Sequence, residues 1–117
     1  MTDDELASDL TLRDVLDAAT EDLGDLRLGG EGASVSWAVG ETVFAALDAG
    51  RAEFRLDPLV AGAALRTPDT TPSTRGPDWV AFAPEILDDG AVDRAEAWFL
   101  SAYRRAGRPA RSGSGAY

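Results

Sequence analysis

Apolar side chains recur along the first part of the chain at the spacing of a helix. From Leu12 to Leu23 they follow one another at steps of three, four and seven residues, which places them on one helical face. Thr11 precedes this stretch as an N-cap, and Gly24 follows it where a helix commonly ends. The pattern therefore predicts a helix over 12–23.

Two more helices are predicted further along the chain. Asp57 and Pro58 form a typical helix start, with aspartate as N-cap and proline in the first turn, and Pro68 stops this second helix. Apolar residues at helical spacing predict a last helix from Ala91 to about Ala106.

Between the first two helices the period of the pattern changes to two. Strict alternation of apolar and polar residues predicts a strand over 33–39, and an apolar run predicts another over 42–47. Gly40 leads the two residues between them, as a type II′ turn requires. This turn is expected to place Trp37 opposite Phe44.

A second hairpin follows directly. Residues 48–50 predict a three-residue loop with glycine in the left-handed position, and the strand beyond it contains Phe54. Such a loop places Phe44 opposite Phe54. We therefore expect Trp37, Phe44 and Phe54 to lie in one row on the buried face of a three-strand meander.

The other face of this meander is expected to carry Glu53, Arg55, Val43 and Ala45. The orientation of Trp79 has two alternatives. If Val80 and Phe82 point inward, Trp79 lies on the open face and can stack against Arg55 or Arg75. In the other alternative Trp79 faces the core.

Two stretches without a periodic pattern are predicted as loops. They are the glycine-rich 28–32 and the proline-containing 67–77. The apolar segment 78–83 predicts a fourth strand. The elements follow in the order α-β-β-β-α-β-α, which indicates an α+β domain with an antiparallel sheet, a meander plus one strand, packed by helices on one face.

Length and apolar content set the scale of the molecule. With 117 residues, 44% of them hydrophobic, the chain is sufficient for a single domain. We place that domain at 11–106, with an N-terminal lead-in over 1–10 and a flexible basic tail over 107–117. The N-terminus begins acidic, and no apolar run reaches the ~20 residues of a membrane span. A cytoplasmic monomer without membrane association is the expectation.

The amino-acid composition excludes most catalytic mechanisms. The chain contains no His, no Cys and no Lys, so a Ser-His-Asp triad, a thiol nucleophile, a cysteine zinc site and a Schiff base are excluded. The densest carboxylates outside the N-terminus, Glu85, Asp88 and Asp89, are predicted to lie in an exposed turn. We predict no catalytic residue, no metal, no cofactor and no enzyme activity.

Charge leaves a binding role open. Eleven arginines stand against 21 acids, which gives a net charge of −10. Several cations have no acid beside them in the sequence, and together with one exposed aromatic they are the candidate binding residues. These candidates are Arg55, Arg75, Trp79, Arg104 and Arg105.

Four stretches resemble the MmcQ/YjbR-like family of small bacterial proteins. They read WAVGETVFAAL at 37–47, FRLDP at 54–58, WV at 79–80 and SAYRR at 101–105. The resemblance spans 11–105. It implies a compact α+β fold described as DNA-binding-like, without an established enzyme activity, and hence nucleic acid as the ligand.

The net charge of −10 supports an alternative partner. Cations supply most of the nonspecific affinity for phosphates, and this chain has an acidic excess. The alternative is a protein-interaction module. It would use either the open sheet face around Trp79 or the acidic first helix against a basic protein.

Overall fold

The computed structural model describes residues 10–30, 32 and 34–108 of the chain. Within them, three helices and a six-stranded antiparallel sheet form an α+β domain, which confirms the predicted class. No helix in these residues is long and apolar enough to cross a membrane. Most of the predicted lead-in and of the predicted basic tail lies outside the described residues.

The element order is α-β-β-β-β-α-β-β-α, two strands more than predicted. The helices are α1 (Leu12–Ala19), α2 (Pro58–Ala64) and α3 (Asp89–Ala106). The strands are β1 (Leu26–Gly29), β2 (Ser34–Val39), β3 (Thr42–Asp48), β4 (Arg51–Arg55), β5 (Thr70–Pro72) and β6 (Trp79–Phe82). In the sheet they lie in the order β1-β2-β3-β4-β6-β5.

Helix α1 begins where the sequence predicts and ends earlier. The Thr11 hydroxyl accepts a hydrogen bond from the Asp14 backbone, and the Asp14 carboxylate accepts one from the Thr11 backbone, which forms a capping box. The predicted end at Leu23 is wrong, because the helix stops at Ala19. The hydroxyl of Thr20, the C-cap, donates at 2.6 Å to a carbonyl three residues earlier, and turns follow instead of another helical turn.

Helix α2 ends at Ala64, short of the predicted stop at Pro68, and helix α3 begins earlier than predicted. Helix α2 begins at Pro58 as predicted, but the Asp57 side chain makes no capping hydrogen bond, because arginines at the end of α3 engage it. Helix α3 begins at Asp89 and not at Ala91. The cause is its N-cap Asp88, whose carboxylate accepts the Ala91 amide at 2.9 Å and satisfies the first turn.

Both edge strands include residues of predicted loops. Strand β1 overlaps the predicted loop 28–32 and pairs with β2, with Leu28 opposite Trp37. Strand β5 falls within the predicted loop 67–77 and ends in Pro72. Short edge strands tolerate glycine and proline, since only one side of each is paired. Pairing with a neighbour, not an internal pattern, makes them strands.

The first hairpin, formed by β2 and β3, contains a β-bulge that shifts its register. Val39 lies opposite Thr42, as the two-residue turn predicts. The register then shifts, so Trp37 lies opposite Ala45 and the predicted pairing of Trp37 with Phe44 is wrong. One extra residue on β3 lets Phe44 enter the core without a cross-strand partner.

The second turn has two residues and not three. Ala49 and Gly50 have φ values of 52° and 83°, the left-handed pair of a type I′ turn, and Asp48 pairs with Arg51. Phe54 therefore lies opposite Ala45, and the predicted pairing with Phe44 is wrong. On the other face Ala46, and not Ala45, lies beside Glu53.

The two register errors cancel, and the predicted aromatic face is confirmed. Trp37, Phe44 and Phe54 are at most 1% exposed. Phe99 of α3 lies edge-on to both Trp37 and Phe44, with 5.3 Å between the ring centroids in each pair. Trp98 packs beside Phe54 at 6.4 Å. Buried residues of all three helices join this one core, so the helices cover this side of the sheet.

Candidate functional site

Alternate strand residues point away from the helices and form a second surface, which we call the open face. Its strands carry Arg27, Asp48, Arg51, Glu53 and Arg55, and Arg75 reaches it from the loop between β5 and β6. These four arginines outnumber the two acids. The open face is thus locally basic on a protein with a net charge of −10.

Glu53 lies at the centre of the open face. Its neighbours across the sheet are two small residues, Ala46 and Ala81, and Glu53 is only 9% exposed. The Ser73 hydroxyl donates to Oε2 at 2.6 Å, and Nε of Arg75 donates to Oε1 at 2.8 Å.

These contacts keep Glu53 ionised. Burial of the carboxyl favours its neutral form and would raise the pKa. The hydrogen bonds from Ser73 and Arg75, together with the charges of Arg75 and Arg51, outweigh burial and hold the pKa of Glu53 below its ordinary value of 4.5. Arg51 contributes from the side, with Nε 3.8 Å from Oε2.

Trp79 lies on the open face, which decides between the two alternatives for its orientation. Val80 and Phe82 are buried in the core. Because side chains alternate along a strand, Trp79 and Ala81 point to the other side of the sheet. The Arg75 guanidinium carbon lies 5.3 Å from the centroid of the Trp79 ring, within cation–π range. A Cβ at Gly76 would come within 3.2 Å of the ring, so glycine lets the loop pass close to it.

Three of the five candidate residues therefore meet on the open face. Arg55 is the cross-strand partner of Trp79, and Arg75 lies over the same ring. Arg55 forms no ion pair with any residue that the structure describes.

The other two candidates lie elsewhere, at the end of α3. Arg105 donates to the Leu56 carbonyl and to Asp78, the latter at 3.0 Å, and its Nε lies 3.5 Å from Asp57. Arg104 is exposed and lines a shallow groove away from the open face.

One premise of the sequence analysis is wrong for two of these cations. Arg75 and Arg105 have no acid beside them in the sequence, but both are neutralised by carboxylates that the fold brings in from distant positions. Sequence separation hides such pairs, because Glu53 lies 22 residues from Arg75 and Asp78 lies 27 residues from Arg105.

Four residues near the site are not among the predicted binding residues: Glu53, Ser73, Arg51 and Arg27. The alternation of β4 was the available signal for two of them, since it places Arg51, Glu53 and Arg55 on one face. No comparable signal identifies Ser73, because its position depends on how the loop before β6 folds back.

Arginines beside a half-buried indole can bind anions and flat rings. Guanidinium groups donate to phosphate or carboxylate oxygens, and an indole offers a surface for stacking. Among the residues that the structure describes, no cluster of three or more acids could hold a metal ion.

Comparison with known proteins supports the fold alone. No protein-family model and no curated protein matches the sequence. The chain is similar to a solved structure, that of a protein from Pseudomonas syringae studied by the Northeast Structural Genomics Consortium, with a TM-score of 0.61 and 9% sequence identity. The similarity covers 83% of this chain and 99% of that one.

Proposed function

We propose that this chain is a non-enzymatic binding module of the MmcQ/YjbR type whose open face binds single-stranded nucleic acid. The observation that carries the proposal is the placement of Arg55 and Arg75 against Trp79 on the open face of a chain with a net charge of −10. Arg27 and Arg51 lie further along the same face. A patch against the overall charge indicates a surface built for a negatively charged ligand.

Single strands fit this surface better than a duplex. Proteins that bind single strands without sequence preference combine cations that follow the backbone with aromatic rings on which bases stack. The open face supplies both over adjacent strands, with Arg55 opposite Trp79 and Arg75 over its ring. The three described helices pack on the opposite side of the sheet, so none of them projects from the open face into a major groove.

The test is a fluorescence anisotropy titration of labelled single- and double-stranded oligonucleotides at low salt. We expect the single strand to bind more tightly. Trp79→Ala should cost about 1–3 kcal/mol, the contribution of one stacked base. Arg55→Gln should reduce the slope of log affinity against log salt by about 0.7, as expected for one lost phosphate contact.

Arg13→Gln is the matched control for Arg55→Gln. Arg13 lies on α1, pairs with Asp17 and is half exposed, so the substitution removes the same charge far from the open face. It should leave the salt slope unchanged. If the wild-type chain binds neither form of DNA at low salt, the proposed function is wrong.

A protein-interaction module is the alternative, and one observation favours it. Glu21, Asp22 and Asp25 are exposed after α1 and make no ion pair with described residues, so they offer an acidic surface to a basic partner. A purified partner that is lost on Glu21→Gln with Asp22→Asn, but retained on Trp79→Ala, would support this alternative.

A further inference from the structure

Arg75 is held on two sides and open on a third. Its Nε donates to Glu53, and its guanidinium lies over the Trp79 ring. None of the described residues accepts a hydrogen bond from its two terminal nitrogens. The side chain is 44% exposed. The edge of a fixed guanidinium therefore faces solvent.

We propose that Arg75 binds a phosphate group through its terminal nitrogens, and that Glu53 is a positioning residue that fixes the guanidinium for this contact. The inference rests on the function proposed above only for the source of the phosphate, a phosphodiester of single-stranded nucleic acid. A planar guanidinium presents parallel N–H groups that match two oxygens of a phosphate.

Fixing an arginine in advance favours binding. A free arginine side chain has about 2 kcal/mol of rotamer entropy, and a ligand that immobilises it must offset that entropy. Here the ion pair with Glu53 and the contact with Trp79 immobilise Arg75 before any ligand arrives.

The Glu53 carboxylate does not repel a phosphate at this position as strongly as an isolated acid would. Its oxygens already accept hydrogen bonds from Ser73 and Arg75, and Arg51 lies 3.8 Å away. One acid between two arginines leaves a local positive charge. The edge formed by the two terminal nitrogens of Arg75 also points away from Nε, on the other side of Cζ.

Positioning and simple electrostatics predict opposite signs for Glu53→Gln. Removing a negative charge from the open face should by itself tighten binding to a polyanion. Loss of the carboxylate that orients Arg75 should weaken it. We expect an affinity for oligothymidylate about three- to tenfold lower, part of what a charge-assisted hydrogen bond contributes.

Two variants bracket this result. Arg75→Gln should weaken binding by about tenfold or more, because it removes the phosphate contact itself. Asp48→Asn is the matched control, since Asp48 lies on the open face but forms no ion pair with described residues. It removes the same charge as Glu53→Gln and should leave binding unchanged or tighter.

Ser73→Ala tests positioning without any change of charge. The Ser73 hydroxyl holds one oxygen of Glu53 at 2.6 Å. Its loss should weaken oligothymidylate binding in the same direction as Glu53→Gln and by less. Thermal melts of each variant by circular dichroism show that the folded domain is being compared.

Side-chain NMR of isotope-labelled protein tests the phosphate contact of Arg75 separately from the proposed binding of single-stranded nucleic acid. In the wild type the Arg75 Nε–H should be protected from exchange, and Glu53→Gln should remove that protection. Titrations with oligothymidylate and with inorganic phosphate should both shift the Arg75 signal.

Each outcome then has one meaning. A shift with inorganic phosphate that weakens in Glu53→Gln, without oligothymidylate binding, supports the role of Arg75 and contradicts the proposed function. No shift with either probe overturns the role of Arg75. Glu53→Gln binding as tightly as Asp48→Asn, or more so, overturns the role of Glu53.

Discussion

Two arginine networks join distant parts of this chain, and they differ in how many nitrogens they leave unused. In the first, which we call the closed network, the Arg105 guanidinium contacts Leu56, Asp78 and Asp57, and its side chain is 21% exposed. In the second, the open network, Arg75 contacts Glu53 through Nε alone, and its side chain is 44% exposed. Both were predicted as binding residues from the same sequence feature, a cation with no adjacent acid.

The difference separates a structural arginine from one available to a ligand. Arg105 closes the junction where β4 ends and β6 begins, because Leu56 follows β4 and Asp78 precedes β6. Each of its three nitrogens faces an acceptor within the fold. The number of donors left over, and not the presence of charge, decides which arginine can bind a partner.

The largest expected effect comes from removing the arginine of the closed network. Arg105→Gln leaves the Asp78 carboxylate and the Leu56 carbonyl without their donor. We expect a loss of about 1.5–3 kcal/mol in the free energy of unfolding, as for partly buried hydrogen bonds to charged groups. At about 4–8 °C for each kcal/mol in a domain of this size, a thermal melt detects it readily.

Arg104→Gln is the control for that measurement. It removes the same charge from the neighbouring position of α3, where the side chain is exposed. Its Tm should stay within the error of the wild type. If both variants melt alike, the network around Arg105 contributes nothing beyond its charge, and the comparison between the two networks fails.

A smaller effect is expected from acid, on the open network. The pKa of Glu53 lies below 4.5 in the folded protein, so below pH 4.5 the unfolded chain binds protons that the folded one does not. The stability from this carboxylate is present above pH 4.5 and is lost as pH falls through its lower folded pKa. Melting curves of wild type and Glu53→Gln should therefore converge on acidification, since the other acids are common to both. Parallel curves would contradict the role of Glu53 as an ionised centre.

How far the sequence predicts this fold depends on whether an element has a pattern of its own. The alternation of β2 and the helical spacing of α3 identified both elements, although α3 begins at Asp89 and not at Ala91. The edge strands β1 and β5 have no such pattern, because they bury little of their own surface. Leu28 of β1 is 57% exposed although it pairs within the sheet.

Strand register was predicted less well than the face of the sheet on which each side chain lies, for a physical reason. The bulge at Phe44 and the left-handed Ala49 each shift β3 by one residue, in opposite senses. Neither has a clear sequence signal, since left-handed alanine is unfavourable by roughly 1–2 kcal/mol and is not expected. The aromatic rings still reach the core because the two shifts cancel. Trp37 and Phe54 therefore share one row across β3, as predicted.

The candidate site was predicted in part. Arg55, Arg75 and Trp79 meet as the open-face alternative required, because strand alternation and one loop bring them together. Glu53 was expected on this face but not as the partner of Arg75. That pairing depends on the path of the loop before β6, which no periodicity describes.

The smallest expected effect tests whether burial, and not the number of ion pairs, makes the closed network stabilising. Arg108 binds both oxygens of Asp57 at 3.1 and 3.2 Å, a better geometry than the 3.5 Å contact from Arg105. Its side chain is 58% exposed, however, and exposed pairs contribute little. Arg108→Gln should lower the free energy of unfolding by at most about 0.5 kcal/mol, several-fold less than Arg105→Gln. Denaturant titrations of both variants measure these two losses in the free energy of unfolding. Equal losses would mean that the exposed bidentate pair of Arg108 stabilises the fold as much as the half-buried contacts of Arg105.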